Sequence, residues 1–425
     1  MARAKKEITC DAVVVGGGPS GRITALAVAK TGIKTALVAP SDAPQDARTT
    51  ALWQKSIDLL KDLGVWDDIL PTAEPLKTMR MIDGSKRLIR SPETLFESAE
   101  LGVEEFGYNI INAELNKVLA AACSAEDNLT CVDDLAENAA FSEKRAVITT
   151  KTGTTVSADL AVAADGRNSL LRTSAGIEVK RWSYPQTALV LNLEHTLPHR
   201  GISTEFHTPT GPFTLVPLPG RQSSLVCVET AETADRLKTM DKNLLARDLE
   251  NRAHSILGKF TVISEPQTFP LSGMTAQSVI SNRLALVGET AHVFPPVGAQ
   301  GLNLSMRDIS DLISAVAAAQ AKGQDIGSPE ALTTFEHKRM TDIRSRTNAV
   351  DMLNRSLLTD FLPVQAALAG HGADDARRAR AVGVADPDLV GGVPALRRRR
   401  LPRAAVAALS VVPAQLRAGE LLVLR

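Results

Sequence analysis

Residues 8–21 are ITCDAVVVGGGPSG, an apolar run that ends in four closely spaced glycines. The run is rich in β-branched residues, which predicts a buried parallel strand. Residues 19–31 are mostly helix formers that stop near Gly32, and residues 34–38 (KTALV) predict a second strand. The order of strand, glycine turn, helix and strand is that of one βαβ unit.

Three glycines of that turn, Gly16, Gly18 and Gly21, match the G-x-G-x-x-G pattern of dinucleotide-binding domains. The first glycine allows a tight turn, the second lets the backbone approach a pyrophosphate, and the third lets the helix pack closely on the strand. The N-terminus of the helix then offers free N–H groups and a positive dipole end. Because the pattern follows a strand and opens a helix, it predicts dinucleotide binding and not a plain glycine-rich turn.

The acidic residue that usually ends the second strand of such a unit is missing. Ala39, Pro40 and Ser41 occupy its place, so another group must bind the ribose hydroxyls. Asp42 and Asp46 are candidates, although each is equally explained as a solvated loop carboxylate.

A second kind of pattern occupies the middle of the chain. Strand-like runs separated by Pro and Gly predict a largely antiparallel sheet; they are residues 186–193, 213–218 and 223–229. Near Asn282 a buried strand returns, followed by a loop and a long helix over about 301–321. The predicted fold class is therefore α/β, a Rossmann-like dinucleotide-binding domain with an inserted, mainly antiparallel β domain and C-terminal helices. The predicted boundaries are 1–80, 97–180 and 270–365 for the first domain, and 81–96 and 181–269 for the second.

Composition excludes several classes of protein. Lys+Arg and Asp+Glu both number 48 in 425 residues, so no global charge favours nucleic acid. The four cysteines form neither C-x-x-C nor zinc-finger spacing, which predicts no metal site and fits a reduced cytoplasm. The basic first residues lead directly into a strand, so no signal peptide is expected. No apolar run of 18 or more residues exists, so no membrane span is expected either.

Two further motifs carry chemistry. Asp165-Gly166 follows the strand-like residues 158–163, and alone it indicates no more than a turn. Residues 286–304, LVGETAHVFPPVGAQGLNL, are far more specific. A strand ends at Gly288, an acid follows, and a Pro-Pro loop with two glycines enters a helix. Such glycines permit backbone approach to a flat ligand, and the helix start near Leu302 can stabilise negative charge.

Together these motifs resemble the class A flavoprotein monooxygenases, which have the para-hydroxybenzoate hydroxylase-like fold. Within that class the chain is most similar to the ubiquinone-biosynthesis hydroxylases. The closer similarity rests on residues 46–52 (DARTTAL), 182–190 (WSYPQTALV), 211–218 (GPFTLVPL) and 288–304 (GETAHVFPPVGAQGLNL). It covers roughly residues 8–365.

The resemblance implies roles for individual residues. Gly16, Gly18 and Gly21 would hold the FAD pyrophosphate, and Arg48 would contact the cofactor. Asp165 and Gly166 would serve FAD and the nicotinamide cofactor, while Glu289, after Gly288, takes the place of the aspartate that usually binds the ribityl chain. The remaining predicted residues surround the isoalloxazine ring: Pro295, Pro296 and Gly298 line it, and Gly301, Leu302 and Asn303 bind it.

The resemblance also implies the reaction. NADPH or NADH would reduce FAD, and O2 would supply the oxygen atom that enters an aromatic ring. A prenylated phenol of ubiquinone biosynthesis is the implied substrate. It would bring the cytoplasmic protein to the inner face of a membrane, or into a ubiquinone-biosynthesis complex.

Other functions compete with this one. A hydroxylase of a small soluble aromatic acid and a non-catalytic FAD-binding protein are the alternatives. A dehydrogenase would not need residues 288–301. A flavin halogenase would usually carry W-x-W-x-I-P, and none of Trp53, Trp66 and Trp182 begins that motif.

The histidines and tyrosines favour structural interpretations. His292 lies inside the specific motif, but a hydrogen-bonded structural imidazole is favoured over a catalytic base. Tyr108 and Tyr184 are the only tyrosines, and each is favoured as a core residue.

The last 60 residues differ from the rest of the chain. Residues 366–425 contain ten Arg and no Lys, and they lack Phe, Tyr, Trp, Ile, Met, Asn, Thr and Cys. One hypothesis is a basic tail that docks on anionic lipid. The other, which we favour, is a shifted reading frame in GC-rich DNA, because the missing residue types are largely those with AT-rich codons. Resequencing the gene distinguishes them.

Overall fold

The computed structural model describes residues 6–41, 47–84, 92–295 and 299–358, with the backbone alone after residue 347. Three groups of predicted residues lie outside these ranges: the ribose candidates Asp42 and Asp46, the flavin-lining Pro296 and Gly298, and the tail from 366 to 425. Among the described residues, no helix is long and apolar enough to cross a membrane. No cluster of three or more metal-binding side chains occurs in these ranges either.

The strands, in chain order, are β1 Glu7–Thr9, β2 Ala12–Val15, β3 Thr35–Val38, β4 Thr49–Trp53, β5 Ala73–Leu76, β6 Thr78–Asp83, β7 Thr94–Glu97, β8 Gly107–Ile111, β9 Leu129–Val132, β10 Ala136–Phe141, β11 Ala146–Thr150, β12 Thr155–Ala158, β13 Leu160–Ala163, β14 Val179–His195, β15 Ile202–Thr208, β16 Gly211–Leu218, β17 Gln222–Thr230, β18 Phe260–Val262, β19 Gln267–Ala276, β20 Ile280–Ser281, β21 Leu284–Leu286 and β22 His292–Val293. The helices are α1 Pro19–Lys30, α2 Gln54–Asp62, α3 Trp66–Ile69, α4 Asn112–Ala125, α5 Leu170–Ser174, α6 Ala231–Lys238, α7 Lys242–Arg252, α8 Gln300–Ala321 and α9 Pro329–Leu358.

A six-stranded sheet forms the nucleotide-binding layer, with the strand order β20-β21-β13-β2-β3-β9. Five of its strands are parallel, and only β20 pairs antiparallel. Every residue of β2, β3 and β13 is buried, as expected for strands with both faces covered. Helices α1 and α8 pack together beside this sheet.

The predictions of one strand over residues 8–15 and one over 158–163 are wrong, because the chain changes sheets within each. β1 pairs with β12 in a four-stranded sheet, while β2 pairs with β13 in the six-stranded sheet. The crossing points are Asp11 and Asp159. The carbonyl of Asp11 accepts hydrogen bonds from the N–H groups of Asp159 and Leu160, both at 3.0 Å. These hydrogen bonds between backbone groups satisfy the chain where the strand pairing is interrupted.

A nine-stranded sheet holds most of the middle of the chain. Its order is β22-β19-β14-β17-β16-β15-β6-β7, with β18 beside β14. The sheet is mainly antiparallel, except that β15 and β6 run parallel. β14 has 17 residues and is much longer than predicted, because an irregularity between Ser183 and Thr187 lets it continue along β19. The predicted fold class is confirmed, whereas the exact domain boundaries stay a prediction.

The two faces of the nine-stranded sheet differ. One face buries Leu189, Leu191, Leu215 and Leu225 against helices α6 and α7. Alternation along the strands places Val190, Thr214 and Val226 on the other face. That face meets the start of β4, which belongs to a three-stranded sheet with β8 and β5. Asn192 donates a hydrogen bond to the carbonyl of Ala47, at 2.9 Å, and Thr49 and Ser224 share a hydroxyl hydrogen bond of 2.8 Å. We call this face of the nine-stranded sheet the inner face.

Candidate functional site

A cleft of about 720 Å³ opens at the carboxyl ends of β2, β3 and β13. This is the edge of a parallel sheet at which ligands of such folds bind. The cleft gathers residues that are far apart in sequence: Gly16, Gly18, Arg48, Asn116, Asp165 and Phe269. Residues of the glycine turn and of the Asp165-Gly166 turn therefore line one cavity together with Phe269 of the nine-stranded sheet.

The three glycines of the first motif have different structural roles. Gly16 has φ +137°, and a Cβ there would lie 2.1 Å from the carbonyl oxygen of Ala164. A Cβ on Gly21 would lie 2.1 Å from the carbonyl oxygen of Gly16, so the start of α1 packs directly on the turn. A Cβ on Gly18 would meet no protein atom within 4 Å. Gly16 and Gly21 are thus required by the fold itself, whereas Gly18 leaves space in the cleft.

Asp165 combines a structural contact with an unused acceptor. Its Oδ2 accepts hydrogen bonds from the N–H of Leu170 (2.8 Å) and of Leu171 (3.3 Å), at the start of α5. Its Oδ1 is buried and has no hydrogen-bond partner among the described residues. Gly166, the next residue, has φ +83° and also lines the cleft. A buried acceptor without a partner is costly, so a donor from a bound ligand would stabilise this site.

Asn116 of α4 is a second such group, which the sequence did not indicate. It lines the cleft, and its Oδ1 is buried without a hydrogen-bond partner within the described ranges. Pro40 and Asp134 line the cleft as well. The backbone N–H and the hydroxyl of Ser41 both donate to the Asp133 carboxylate, at 2.6 and 2.8 Å. A carboxylate from the loop after β9 therefore lies next to the position after β3 where dinucleotide-binding domains usually have an acidic residue.

The inner face of the sheet closes one side of the cleft. Gln267 and Phe269 of β19 line it, and the guanidinium carbon of Arg48 lies 5.2 Å from the centre of the Phe269 ring. Arg48 therefore lines the cleft and contacts the nine-stranded sheet at the same time, while its contact with the cofactor stays a prediction. Gln267 and Phe269 themselves were not predicted.

The described part of the third motif comprises residues 288–295 and 299–303, and we call it the flavin segment after its predicted role. Gly288 has φ +65°, and a Cβ there would lie 2.9 Å from the Ser305 hydroxyl, so a larger residue would be strained. The Glu289 side chain is about half exposed and lies 3.4 Å from Nε of Arg167. Pro295 is buried. The structure brings Glu289 to the Asp-Gly turn of the second motif, although these residues are more than 120 positions apart.

The start of α8 supplies donors as the sequence indicated. The helix begins at Gln300, so the N–H groups of Gly301, Leu302 and Asn303 lie in its first turn and lack intrahelical acceptors. The Asn303 side chain is fully engaged elsewhere. It donates to the carbonyls of Ala51 and Ala299 and accepts from the N–H of Trp53 and the hydroxyl of Ser56. Any contact of Asn303 with a ligand would therefore come from its backbone.

The histidine and the tyrosines of interest all have protein partners. His292 is 2% exposed, and its Nε2 lies 2.7 Å from Oδ2 of Asp308. Tyr108 packs edge-on against Trp66 with ring centres 5.1 Å apart, and the Tyr184 hydroxyl accepts from Nε1 of Trp182 at 2.8 Å. These contacts agree with the structural interpretations.

Buried Arg172 links two of the motifs and was missed by sequence reasoning. Its Nη1 donates to the carbonyl of Thr290 (2.8 Å), and its Nη2 donates to the carbonyl of Arg167 (3.0 Å). Burial lowers the pKa of this guanidinium, and nearby Arg181 adds to the effect. No local sequence signal distinguishes Arg172 from an ordinary surface arginine of a short helix.

Comparison with known proteins gives relatives over most of the chain. The profile of the family described as FAD binding domain matches residues 9–348. Ubiquinone hydroxylase UbiL of Rhodospirillum rubrum is 32% identical over 361 residues, which cover 83% of each protein. The 3-demethoxyubiquinol 3-hydroxylase of Escherichia coli K12 is 28% identical over 371 residues, covering 83% of this chain and 91% of that protein.

Solved structures share the fold. The p-nitrophenol 4-monooxygenase PnpA from Pseudomonas putida superposes with a TM-score of 0.74 at 20% identity, covering 90% of this chain and 98% of its own. PqsL from Pseudomonas aeruginosa, described as a probable FAD-dependent monooxygenase, gives a TM-score of 0.71 at 18% identity, covering 82% of this chain and 97% of its own.

Proposed function

The chain belongs to the FAD binding domain family and, within it, to the ubiquinone hydroxylases, and from that premise we propose that it hydroxylates the ring of a neutral, prenylated phenol. The enzyme is an FAD-dependent monooxygenase. We propose further that NADPH or NADH is the electron donor and that the enzyme meets its substrate at a membrane surface or within a complex.

FAD fits the residues of the cleft. Gly18 leaves room for a pyrophosphate beside the start of α1, and the unpartnered oxygens of Asp165 and Asn116 can accept hydrogen bonds from hydroxyl or amino groups. Bound FAD would supply the redox chemistry that activates O2 for transfer of one oxygen atom to an electron-rich ring. The N–H groups at the start of α8 would stabilise negative charge on the reduced ring system.

The side chains on the inner face of the sheet favour an apolar substrate. Val190, Val226 and Val216 are half-buried there, on β14, β17 and β16, the three strands that follow one another away from β19, the strand of Phe269. From Gln186 to Asn192 of β14, and along β16, β17 and β19, no charged side chain alternates onto this face. Arg48 lies over Phe269 at the cleft end of the face, and Glu205 of β15 lies on the face beside Thr214. An aromatic acid would need a cation to pair with its carboxylate. The three valines offer none, so this part of the face favours a neutral, apolar phenol over the soluble-acid alternative.

The proposed substrate also sets the place of reaction. A prenylated phenol partitions into lipid, so the enzyme would have to meet it at a membrane surface, as a peripheral protein or within a complex. We expect binding to vesicles that contain the substrate and weaker binding to vesicles without it.

The coupling of electron donor, oxygen and product tests the proposed reaction. Purified enzyme should consume NADPH or NADH and O2 in equal amounts, faster when a short-chain prenylated phenol is added, and one hydroxylated product should form per nicotinamide oxidised. An oxygen electrode, nicotinamide absorbance and mass spectrometry measure the three quantities. Turnover without oxygen at the aerobic rate would indicate a dehydrogenase, and FAD binding without turnover would indicate a non-catalytic protein.

Glu289 tests the predicted ribityl contact. Its ion pair with Arg167 is half exposed and should add little to stability. Glu289→Ala should therefore leave the melting temperature of the apoprotein unchanged while raising the Kd for FAD by about threefold to tenfold, the value of one typical hydrogen bond of about 1 kcal/mol. Glu289→Asp, which restores the usual residue, should bind FAD normally. Normal FAD affinity in Glu289→Ala would remove this residue from the site.

A further inference from the structure

One buried carboxylate lies behind the flavin segment and fixes two of its residues. Asp308 of α8 is 1% exposed. Its Oδ2 accepts a hydrogen bond from the N–H of Gly288 at 2.9 Å and lies 2.7 Å from Nε2 of His292. A single group therefore sets both the glycine with positive φ, where the segment leaves β21, and the histidine of the short strand β22.

The negative charge of Asp308 is balanced from the neighbouring helix. Nε of Arg339, in α9, donates to Oδ1 of Asp308 at 2.6 Å, and Arg339 is itself 1% exposed. Burial alone would raise the pKa of Asp308, but His292, Arg339 and the N–H of Gly288 together hold this pKa below its ordinary value. Arg339 also lies 3.2 Å from Asp311 and 2.8 Å from Asp342, so its own charge is well compensated.

A second arginine of α9 reaches the other end of the segment. Nη1 of Arg346 donates to Oε1 of Gln300, the first residue of α8, at 3.1 Å, while its Nε binds Asp342 at 2.9 Å. Arg339 and Arg346 are seven residues apart, about two helical turns, and so lie on one face of α9. Helix α9 thus contacts the network at Gly288 and the helix start at Gln300.

We propose that Asp308 is a positioning residue that holds the flavin segment in the shape that receives the isoalloxazine and ribityl half of FAD, with Arg339 as its buried counter-charge. The two residues that Asp308 fixes in the segment both belong to the third motif. Neither belongs to the glycine turn, which receives the adenosine and pyrophosphate half. Loss of the carboxylate should therefore weaken binding of one half of FAD and spare the other.

Asp308→Asn tests this division with two probes. Asparagine keeps the size of the side chain but removes the charge that Arg339 and the Gly288 N–H require. Calorimetry on the full-length apoprotein should show the Kd for FAD rising about tenfold or more, the value of a lost charge-assisted hydrogen bond. The Kd for ADP, which carries only the adenosine and diphosphate groups, should change less than about twofold.

A matched control separates positioning from general loss of stability. Glu229 and Arg252 form another largely buried ion pair, on the helix-covered side of the nine-stranded sheet. Glu229→Gln should lower the melting temperature without changing the ratio of the FAD and ADP dissociation constants. The double variant Asp308→Asn, Arg339→Met should recover melting temperature relative to Asp308→Asn, because no unpaired arginine remains, and should still bind FAD weakly.

Several outcomes would overturn the proposal. They are an equal loss of FAD and ADP affinity in Asp308→Asn, an unchanged affinity for both, or recovery of FAD affinity in the double variant. If Asp308→Asn does not fold, Arg339→Lys decides the same question, because it keeps the charge but loses the planar fork. Its FAD affinity should fall while its ADP affinity stays unchanged, and a parallel fall in both would contradict the positioning role.

Discussion

Replacement of Gly18 by valine should yield a folded but colourless protein. A Cβ at this position meets no protein atom within 4 Å, and φ is −76°, a value that any residue adopts. The valine side chain would instead occupy the space in the cleft where the backbone must approach a pyrophosphate. We expect the Kd for FAD to rise about a thousandfold, equivalent to roughly 4 kcal/mol of binding free energy, while the melting temperature stays at that of wild-type apoprotein.

Gly16→Ala is the contrasting variant. Its Cβ would lie 2.1 Å from the carbonyl oxygen of Ala164, at a φ of +137°. Alanine should therefore destabilise the fold itself, by about 3 kcal/mol or more. Visible absorbance of the purified proteins, circular dichroism and FAD titration distinguish the two effects. A yellow Gly18→Val protein with wild-type FAD affinity would show that the cofactor lies elsewhere.

The local parts of the fold and site could be predicted from the sequence. Gly16, Gly18 and the start of α1 follow from a pattern that fits within 14 residues, because strand, turn and helix N-terminus are consecutive there. The start of α8 followed from the glycines before it, to within one residue. In both places the chemistry depends on backbone conformation, which nearby residues determine.

The remaining parts depend on contacts between distant residues. Asn116 looks like any polar residue of an amphipathic helix, and Phe269 like any aromatic residue of a strand, until the sheets bring both to one cleft. Asp308 and Arg339 are 31 residues apart on two helices, and charged residues on helices usually face solvent. Asp11 separates β1 from β2, and Asp159 separates β12 from β13. The two breaks lie side by side only because β1 pairs with β12 and β2 pairs with β13. Each of these roles requires knowledge of the pairing of elements, which a single sequence does not supply.

Val226→Asp should have the largest effect on substrate use. Val226 lies on the inner face, opposite Val190 of β14 and Thr214 of β16, and is half-buried. A carboxylate there would have to lose water when an apolar ring binds, and no cation of the neighbouring strands faces it. Since burial of an unpaired charge costs several kcal/mol, kcat/KM for a short-chain prenylated phenol should fall about a hundredfold or more. FAD content should stay normal, because Val226 does not line the cofactor cleft. Val226→Thr, which keeps the shape and adds only a hydroxyl, should lose less than about tenfold. A folded, FAD-loaded Val226→Asp enzyme with wild-type kcat/KM would place the phenol on another surface.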